Sequence, residues 1–467
     1  MSVRAGMTTR SLLNKNERMK MKKIIIPKEI VTVNDHNEVA RDKAVVIEEG
    51  IITRFIPKED AKNYSGEFEV FDFSELTLLP GFVQTHVHLC QTLFRGLADD
   101  LELLDWLQKK IFPFEHQHNA ESLRYSAALG IHELQTGGTT TILDMGTINH
   151  HRSVFEELIK ADMRAVSGKC ITDMNDLYSD FKEETKKSLQ TSYELAEEFH
   201  GANGGKIRYG FAPRFVLSCT EELMIEAFQM TKDFDGAFYH THSSENKGEI
   251  EIVKKMTGKE NIEYFDSIGV LGENTVLAHS IHTNEREVEI LKEKKARVAH
   301  CPSTNLKLGS GIANIPRYIE EGIYVSIGAD GPPCNNNLSM FEEMRAAALI
   351  QKPIHGPTSM NALTVLRLAT IEGAKALHLE NEIGSVEIGK KADLILLDLN
   401  GSDKSLLDND ENIFSDIVYA SNKNDVKDVM IEGKWVVRNG KSTVYDEREI
   451  VSRGKEELLK LLARTEV

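Results

Sequence analysis

Pro80-Gly81-Phe82-Val83-Gln84-Thr85-His86-Val87-His88 is an apolar run that ends in two histidines separated by one residue. Alternate side chains of a strand share a face, so His86 and His88 point the same way, and two imidazoles at a strand end supply half of a metal site. The other half should lie far downstream. The reading of the chain turns on whether other strands end in the same kind of residue.

Short apolar runs over 82–88, 139–145, 164–171, 207–213, 237–242, 275–279, 296–300 and 324–330 alternate with amphipathic stretches over 120–135, 154–161, 182–198, 221–232, 285–293 and 315–321. Strands and helices in this alternation predict an α/β fold. Its body is a (β/α)8 TIM-like barrel over 80–386, with the active site at the carboxyl ends of the strands. The polar residues fall at that end: His86, His88, Arg214, His240, His242, His279, His300 and Asp330.

Outside the barrel the texture changes. Ile24-Ile25-Ile26, Glu29-Ile30-Val31-Thr32-Val33, Ala44-Val45-Val46-Ile47 and Glu69-Val70-Phe71 near the start are matched near the end by Leu394-Ile395-Leu396-Leu397, Val426 to Ile431 and Trp435-Val436-Val437. Runs this short cannot bury two faces alone, which predicts a small β-sandwich domain built jointly from 23–79 and 387–450. Residues 1–22 are basic without an apolar core of signal-peptide length and read as a disordered extension, with Met21 a candidate start. Residues 451–467 read as a C-terminal helix, with its helical pattern over 456–464. No segment is long and apolar enough to span a membrane.

Fifty-six basic residues against seventy-three acidic ones leave a net charge of −17. That balance argues against a nucleic-acid or anionic-membrane partner and fits an enzyme of small molecules, although a solvated acidic surface accounts for it equally well. Cys90, Cys170, Cys219, Cys301 and Cys334 are odd in number and widely spaced, with no CxxC, which points to a reducing, cytoplasmic compartment.

The fifth strand, Phe238-Tyr239-His240-Thr241-His242, repeats the HxH pattern, and Glu245 follows just beyond it. An Asp at the end of a strand is ordinarily a cap or turn residue, but Asp330 meets three histidines at the same rim. His86, His88, His242 and Asp330 are therefore read as the ligands of one divalent ion, zinc in preference to iron. Such an ion lowers the pKa of a bound water to about 7, and Glu245 is placed to carry its proton. His279 is read as the electrostatic partner of the resulting hydroxide or as a further ligand competing with His240. The roles of His240 and His300 stay open.

In this order the residues resemble the amidohydrolase superfamily, and within it the aminohydrolase and triazine-hydrolase branch that includes adenosine-type nucleoside deaminases, guanine deaminase and atrazine chlorohydrolase. The resemblance is carried by Pro80-Gly81-Phe82 with the His pair, His242-Ser243-Ser244-Glu245, Ala278-His279, the run from His300 to Leu308, Gly328-Ala329-Asp330-Gly331 and Gly389-Lys390-Lys391-Ala392-Asp393-Leu394. It implies a mononuclear Zn or Fe site, hydrolytic removal of ammonia or another leaving group from a heteroaromatic ring, and often a homodimer.

For the substrate the resemblance divides. Glu115, in Phe112-Pro113-Phe114-Glu115, matches the carboxylate with which deaminases of S-adenosylhomocysteine and methylthioadenosine hold ribose hydroxyls; the competing reading for Glu115 and Arg214 is a structural salt bridge. Gln91 and Arg214 resemble the base-gripping residues of guanine deaminase, features that 5′-deoxyadenosine deaminases share. Lys169 stands where recognition of a homocysteine carboxylate would want arginine. The expectation is a purine nucleoside deaminase of adenosine type, acting on a substrate without a 5′-phosphate since no Gly-rich phosphate loop is present. Catalysis is assigned to Glu245, His279 and Asp330 and substrate binding to Gln91, Glu115, Arg214 and Lys169. The alternatives are a guanine deaminase, a triazine-type amino- or chlorohydrolase, or a barrel that only binds; the last should have lost a ligand or proton-transfer residue, and this chain keeps them all.

Overall fold

The computed structural model describes residues 22–465 apart from Ser65 and Asp408. The expected disordered extension and the candidate start at Met21 lie outside the described residues, save that Lys22 already belongs to the first strand.

The chain opens with β1 (Lys22–Val31), β2 (Val39–Ala40), β3 (Lys43–Glu48), β4 (Ile51–Pro57) and β5 (Glu69–Pro80). Period-two alternation explains why β1 is apolar nearly throughout. Ile24 and Ile26 pack on one face with Val46 and Phe68, while Ile25 and Ile30 pack on the other with Val45, Ile47 and Leu78. Pro27 has no N–H for the ladder, and the register of β1 against β5 shifts between Pro27 and Glu29. The two apolar runs of the sequence are thus one strand with an irregularity.

The barrel follows: β6 (Phe82–Val87), β7 (Thr139–Met145), β8 (Arg164–Gly168), β9 (Cys170–Ile171), β10 (Ile207–Pro213), β11 (Phe238–Ser243), β12 (Thr275–His279), β13 (Arg297–His300) and β14 (Val325–Ile327). All pair in parallel in the order β14-β13-β12-β11-β10-β8-β7-β6, with β9 beside β10. Two strands differ from expectation. The third breaks at Lys169 into β8 and β9, and the eighth is shorter than 324–330, because the chain leaves the ladder after Ile327 and returns only as a bridge between Asp330 and Val87.

That bridge closes the barrel. The Asp330 amide donates to His86 O at 3.0 Å and the Gly328 amide to His300 O at 3.0 Å. Gly328 passes so close to strand one that a Cβ there would lie 2.5 Å from His86 O, so only glycine lets the two ends meet. The floor of the barrel is apolar, with Val83, Leu143, Val166, Phe238 and Val276 packed under Ala374, Leu377 and Ile383.

The chain then returns to the first sheet as β15 (Leu394–Leu397), β16 (Val426–Ile431), β17 (Lys434–Arg438) and β18 (Lys441–Ser442). The order β18-β17-β16-β15-β5-β1-β3-β4 joins both chain ends in one mixed sheet. It folds over its own apolar face: Ile47 and Ile52 share a cluster with Leu394, Met430 and Trp435, and the turn at Gly433 touches that at Gly50. A helix, Glu447–Arg464, ends the described chain, starting earlier than the expected 456 because Asp446 caps it by accepting from the Glu449 amide.

Arg164 on β8 reaches from the barrel to Asp393, just ahead of β15, with Nε to Oδ2 at 2.9 Å and Nη2 to Oδ1 at 3.2 Å. Asp393 also accepts from the Glu432 amide at 2.8 Å, and both partners of the pair are buried. Removing one partner strands a desolvated charge. Asp393→Ala should cost about 3–5 kcal/mol of stability, read as a lower denaturation midpoint; a midpoint equal to wild type would show that the pair does not hold the two sheets together.

Candidate metal centre

Strict alternation along β6 from Val83, which packs on the barrel floor, would place Thr85 and Val87 inside and His86 outside. The register of β6 against β7 is irregular between Gln84 and Val87, and Val87 packs outward in the main core. The irregularity turns His86 and His88 inward at the carboxyl end of the barrel. On β11 alternation is unbroken, so Phe238, His240 and His242 rise in that order from floor to rim.

The donor atoms of His86, His88, His242 and Asp330 all lie within 4.8 Å of one another, and all four side chains are buried or nearly so. Asp330 Oδ1 is 3.3 Å from His86 Nε2 and 3.3 Å from His88 Nε2, and the Nε2 atoms of His88 and His242 are 3.3 Å apart. The other nitrogen of each ring is committed. His88 Nδ1 donates to Met145 O at 2.8 Å, His242 Nδ1 donates to Arg214 O at 2.8 Å, and His86 Nδ1 meets His240 Nε2 at 2.9 Å. Each Nδ1 bond fixes the tautomer and leaves the Nε2 lone pair pointing at the same spot. Burial keeps these rings neutral: it is the main cause that lowers His88 to about 3 and takes His242 well below the usual imidazole range. His86 Nε2 is buried with no hydrogen-bond partner among the described residues. Neutral lone pairs facing each other and a carboxylate are uncompensated without a cation, so the donor set fits the divalent ion expected from the sequence.

His240 is not in this donor set. It lies one layer deeper and holds His86. His300 is buried with neither ring nitrogen hydrogen-bonded among the described residues, and burial brings its pKa down to about 3.

Glu245 lies beside this cluster, its Oε2 3.5 Å from His279 Nε2, and His279 Nε2 is 3.7 Å from Asp330 Oδ2. His279 Nδ1 donates to Asn305 Oδ1 at 2.9 Å, so its Nε2 faces the cleft. Burial, reinforced by the charges of Asp330 and Glu249, pushes the Glu245 carboxyl well above its ordinary range, whereas a bound divalent ion acts in the opposite sense. Glu249 fixes the Glu245 backbone by accepting its amide at 2.9 Å. His279 (φ +71°), Ser244 (φ +51°) and Asp330 (φ +63°) occupy the left-handed region, an unfavourable backbone found where side chains must be re-aimed at a site.

The cleft above these groups is lined by His88, His242, Glu245, His279, Asp330 and Arg214 and walled by Leu103, Trp106, Leu107 and Phe215. Gln91, Glu115 and Arg214 come together at one end. Arg214 grips Glu115 with both Nη atoms, at 3.0 and 3.2 Å, and Gln91 Nε2 donates to Glu115 Oε1 at 2.8 Å. The guanidinium lies 5.1 Å from the centre of the Phe112 ring. Arg214 faces the cleft, whereas Glu115 is fully buried behind it. Lys169 is not brought to the cleft: it sits at the break between β8 and β9, where its ammonium is taken by Glu183 and Ser188.

Sequence reasoning did not find the apolar wall of Leu103, Trp106 and Leu107, which comes from a helical segment after strand one with no motif to mark it. It also missed the carbonyls of Met145 and Arg214, since a backbone acceptor leaves no trace in residue type.

Comparison with known proteins agrees with this architecture. The chain is 36% identical over 434 residues to a 5-methylthioadenosine/S-adenosylhomocysteine deaminase of Bacillus cytotoxicus, covering 92% of this chain and 97% of that one. It is 36% identical over 394 residues to a 5′-deoxyadenosine deaminase of Methanobrevibacter smithii, covering 84% and 88%. A crystal structure of an adenosine deaminase from Xanthomonas campestris with bound zinc superposes with a TM-score of 0.87 at 27% identity, over 94% of this chain and 98% of that one. The profile of the amidohydrolase family matches residues 77–436, from the last turn of β5 through the whole barrel and into β17, and the chain belongs to that family.

Proposed function

We propose that this protein is a metal-dependent hydrolytic deaminase of an adenine nucleoside that lacks a 5′-phosphate, converting 5′-deoxyadenosine, methylthioadenosine or adenosine to the inosine analogue and ammonia. The observation that carries the reading is the convergence of buried imidazole lone pairs and Asp330 on one point, with Glu245 beside it in a cleft. The deaminase names of its relatives support the reaction class.

His86, His88, His242 and Asp330 would hold the ion, zinc in preference to iron. When bound, it supplies Lewis-acid activation of water at neutral pH. Glu245 takes the proton of the attacking water and delivers it to the ring nitrogen next to the attacked carbon, so that the carbon–oxygen bond forms while the ring loses its aromaticity. His279 and Asp330 orient the oxygen; the hydroxyl proton of the adduct then passes to the amino nitrogen, and the carbon–nitrogen bond breaks to release ammonia as the carbon–oxygen double bond forms. The apolar wall around Trp106 suits the face of a purine. Arg214 and Glu115 are proposed to take the sugar hydroxyls, Arg214 as donor and Glu115 Oε2 as acceptor, since that oxygen accepts one hydrogen bond from Arg214 and has a second lone pair.

The proposal includes a cytoplasmic location, supported by five buried free thiols, and a homo-oligomer, supported by the family resemblance. Among the described residues no helix is long and apolar enough to cross a membrane. Fractionation of cells and sedimentation of the purified protein read these two points, and a membrane-bound or monomeric protein would contradict them.

Purified protein should carry about one transition-metal ion per chain by elemental analysis, and His242→Ala should lose most of it; full occupancy in that variant would remove His242 from the ligand set. Glu245→Gln keeps the shape and cannot carry the proton, so turnover should drop at least ~100-fold at unchanged metal content. An active Glu245→Gln enzyme would end the proton-transfer assignment. Because Glu115→Ala would leave the buried Arg214 with neither counter-charge nor acceptor, the informative substitution is Glu115→Gln, which loses the charge and keeps the shape and one acceptor oxygen. Loss of a charged acceptor is worth roughly 1.5–3 kcal/mol, so kcat/KM for nucleosides should fall about 10- to 100-fold, with little change for free bases. Wild-type enzyme that deaminates guanine far better than any nucleoside would overturn the nucleoside reading in favour of a guanine deaminase.

A further inference from the structure

We infer that the rim carries a second, weaker site for a thiophilic divalent cation, formed by His279, Cys301 and Asp330, and that occupancy of this site switches the enzyme off. The donor atoms of these three side chains lie within 4.8 Å of one another. Their relative exposures are 1%, 0% and 4%, so the donors are fixed by packing and do not swing in solvent.

Asp330 is shared, and its two oxygens are already divided. Oδ1 faces His86 and His88 at 3.3 Å, while Oδ2 faces His279 Nε2 at 3.7 Å. A carboxylate in that position can bridge two cations, one on each oxygen, as in sites where two metals sit ~3.5–4 Å apart. His279 contributes a nitrogen that no protein group among the described residues hydrogen-bonds. Its Nδ1 is spent on Asn305, and its Nε2 is buried with no hydrogen-bond partner among the described residues. Cys301 contributes the sulfur. It follows β13 directly, and its only protein contact of hydrogen-bond type through Sγ among the described residues is a long one of 3.8 Å to Ala299 O.

The donor chemistry sets the selectivity. A set of one sulfur, one imidazole nitrogen and one carboxylate oxygen suits zinc, cobalt or cadmium and disfavours magnesium and calcium, which take oxygen ligands. Binding breaks the S–H bond, forms a sulfur–metal bond and sends the proton to solvent. With three protein ligands, one of which must first be deprotonated, this site fills after the four-ligand one. Occupation takes the His279 lone pair and an Asp330 oxygen, both of which the proposed reaction needs.

The test is a cobalt titration of metal-depleted protein carried beyond one equivalent, followed by absorption and by turnover. The expected result is thiolate-to-cobalt charge-transfer absorption in the near ultraviolet that grows only with the second equivalent, with turnover falling in step. Cys301→Ser should keep the first equivalent and the basal turnover, lose that absorption, and need at least ~10-fold more cobalt for inhibition. Cys301→Ala should behave the same way, which separates loss of the sulfur from any effect of the new hydroxyl. Absence of thiolate absorption beyond one equivalent, or inhibition of both variants at the wild-type cobalt concentration, would overturn the inference. The absorption reports on the site whichever ring the enzyme turns over, so its failure is distinguishable from failure of the proposed activity.

Discussion

His88 and His242 present lone pairs to each other across 3.3 Å because the opposite nitrogen of each ring is spent on a backbone carbonyl. A protein interior tolerates such an arrangement of neutral acceptors beside a carboxylate only if a positive charge compensates it. Much of the barrel is arranged to hold this cluster in place. Strand one supplies two rings, strand five supplies one ring and the deeper His240 behind it, and strand eight supplies Asp330 by leaving its ladder early and turning back onto His86. The left-handed backbone at Asp330, His279 and Ser244 is stored strain at the same rim, paid for by the packed strands beneath.

Arg214 ties the cleft to the candidate metal centre. Its carbonyl accepts from His242 Nδ1, and its guanidinium, anchored by Glu115 and stacked near Phe112, lines the cleft. The residue whose side chain lines the cleft is thus also the one whose backbone orients His242. The same economy appears at Met145, whose carbonyl orients His88 while the neighbouring Asp144 accepts the Leu89 amide at 2.9 Å and the Ser167 hydroxyl at 2.7 Å. That bond fixes the start of the segment that carries Gln91.

The second sheet joins the two chain ends around the outside of this machinery. Its link to the barrel is partly ionic and buried, through Arg164 and Asp393, and partly covalent, since β5 runs into β6 with only Gly81 between them. Gly81 donates to Asp393 O at 2.9 Å, so the strand that carries the HxH pair is hydrogen-bonded to the loop that enters β15. The position of His86 and His88 thus depends on a residue more than three hundred positions downstream.

What the sequence by itself determined was the barrel, the pairing of the chain ends and which metal-ligating residue types stand at the strand ends, because these follow from local periodicity and from chemistry that only a few residue types possess. Alternation put His86 and His88 on one face, and a carboxylate after a histidine-bearing strand end marked Glu245. The tertiary structure decided everything that depends on which of two equivalent choices the neighbours enforce. Alternation cannot say which face of β6 looks inward; the irregularity after Gln84 did that. Nor can it separate His242 from His240, which share a face and differ only in depth: the one near the rim has its Nε2 among the clustered donors, and the one a layer below holds His86. Lys169 and Arg214 read alike as candidate cations near strand ends, yet Glu183 beside one and Glu115 beside the other sent the first away from the cleft and held the second in it. A charged side chain goes where its counter-charge is buried, and that partner is chosen by the fold.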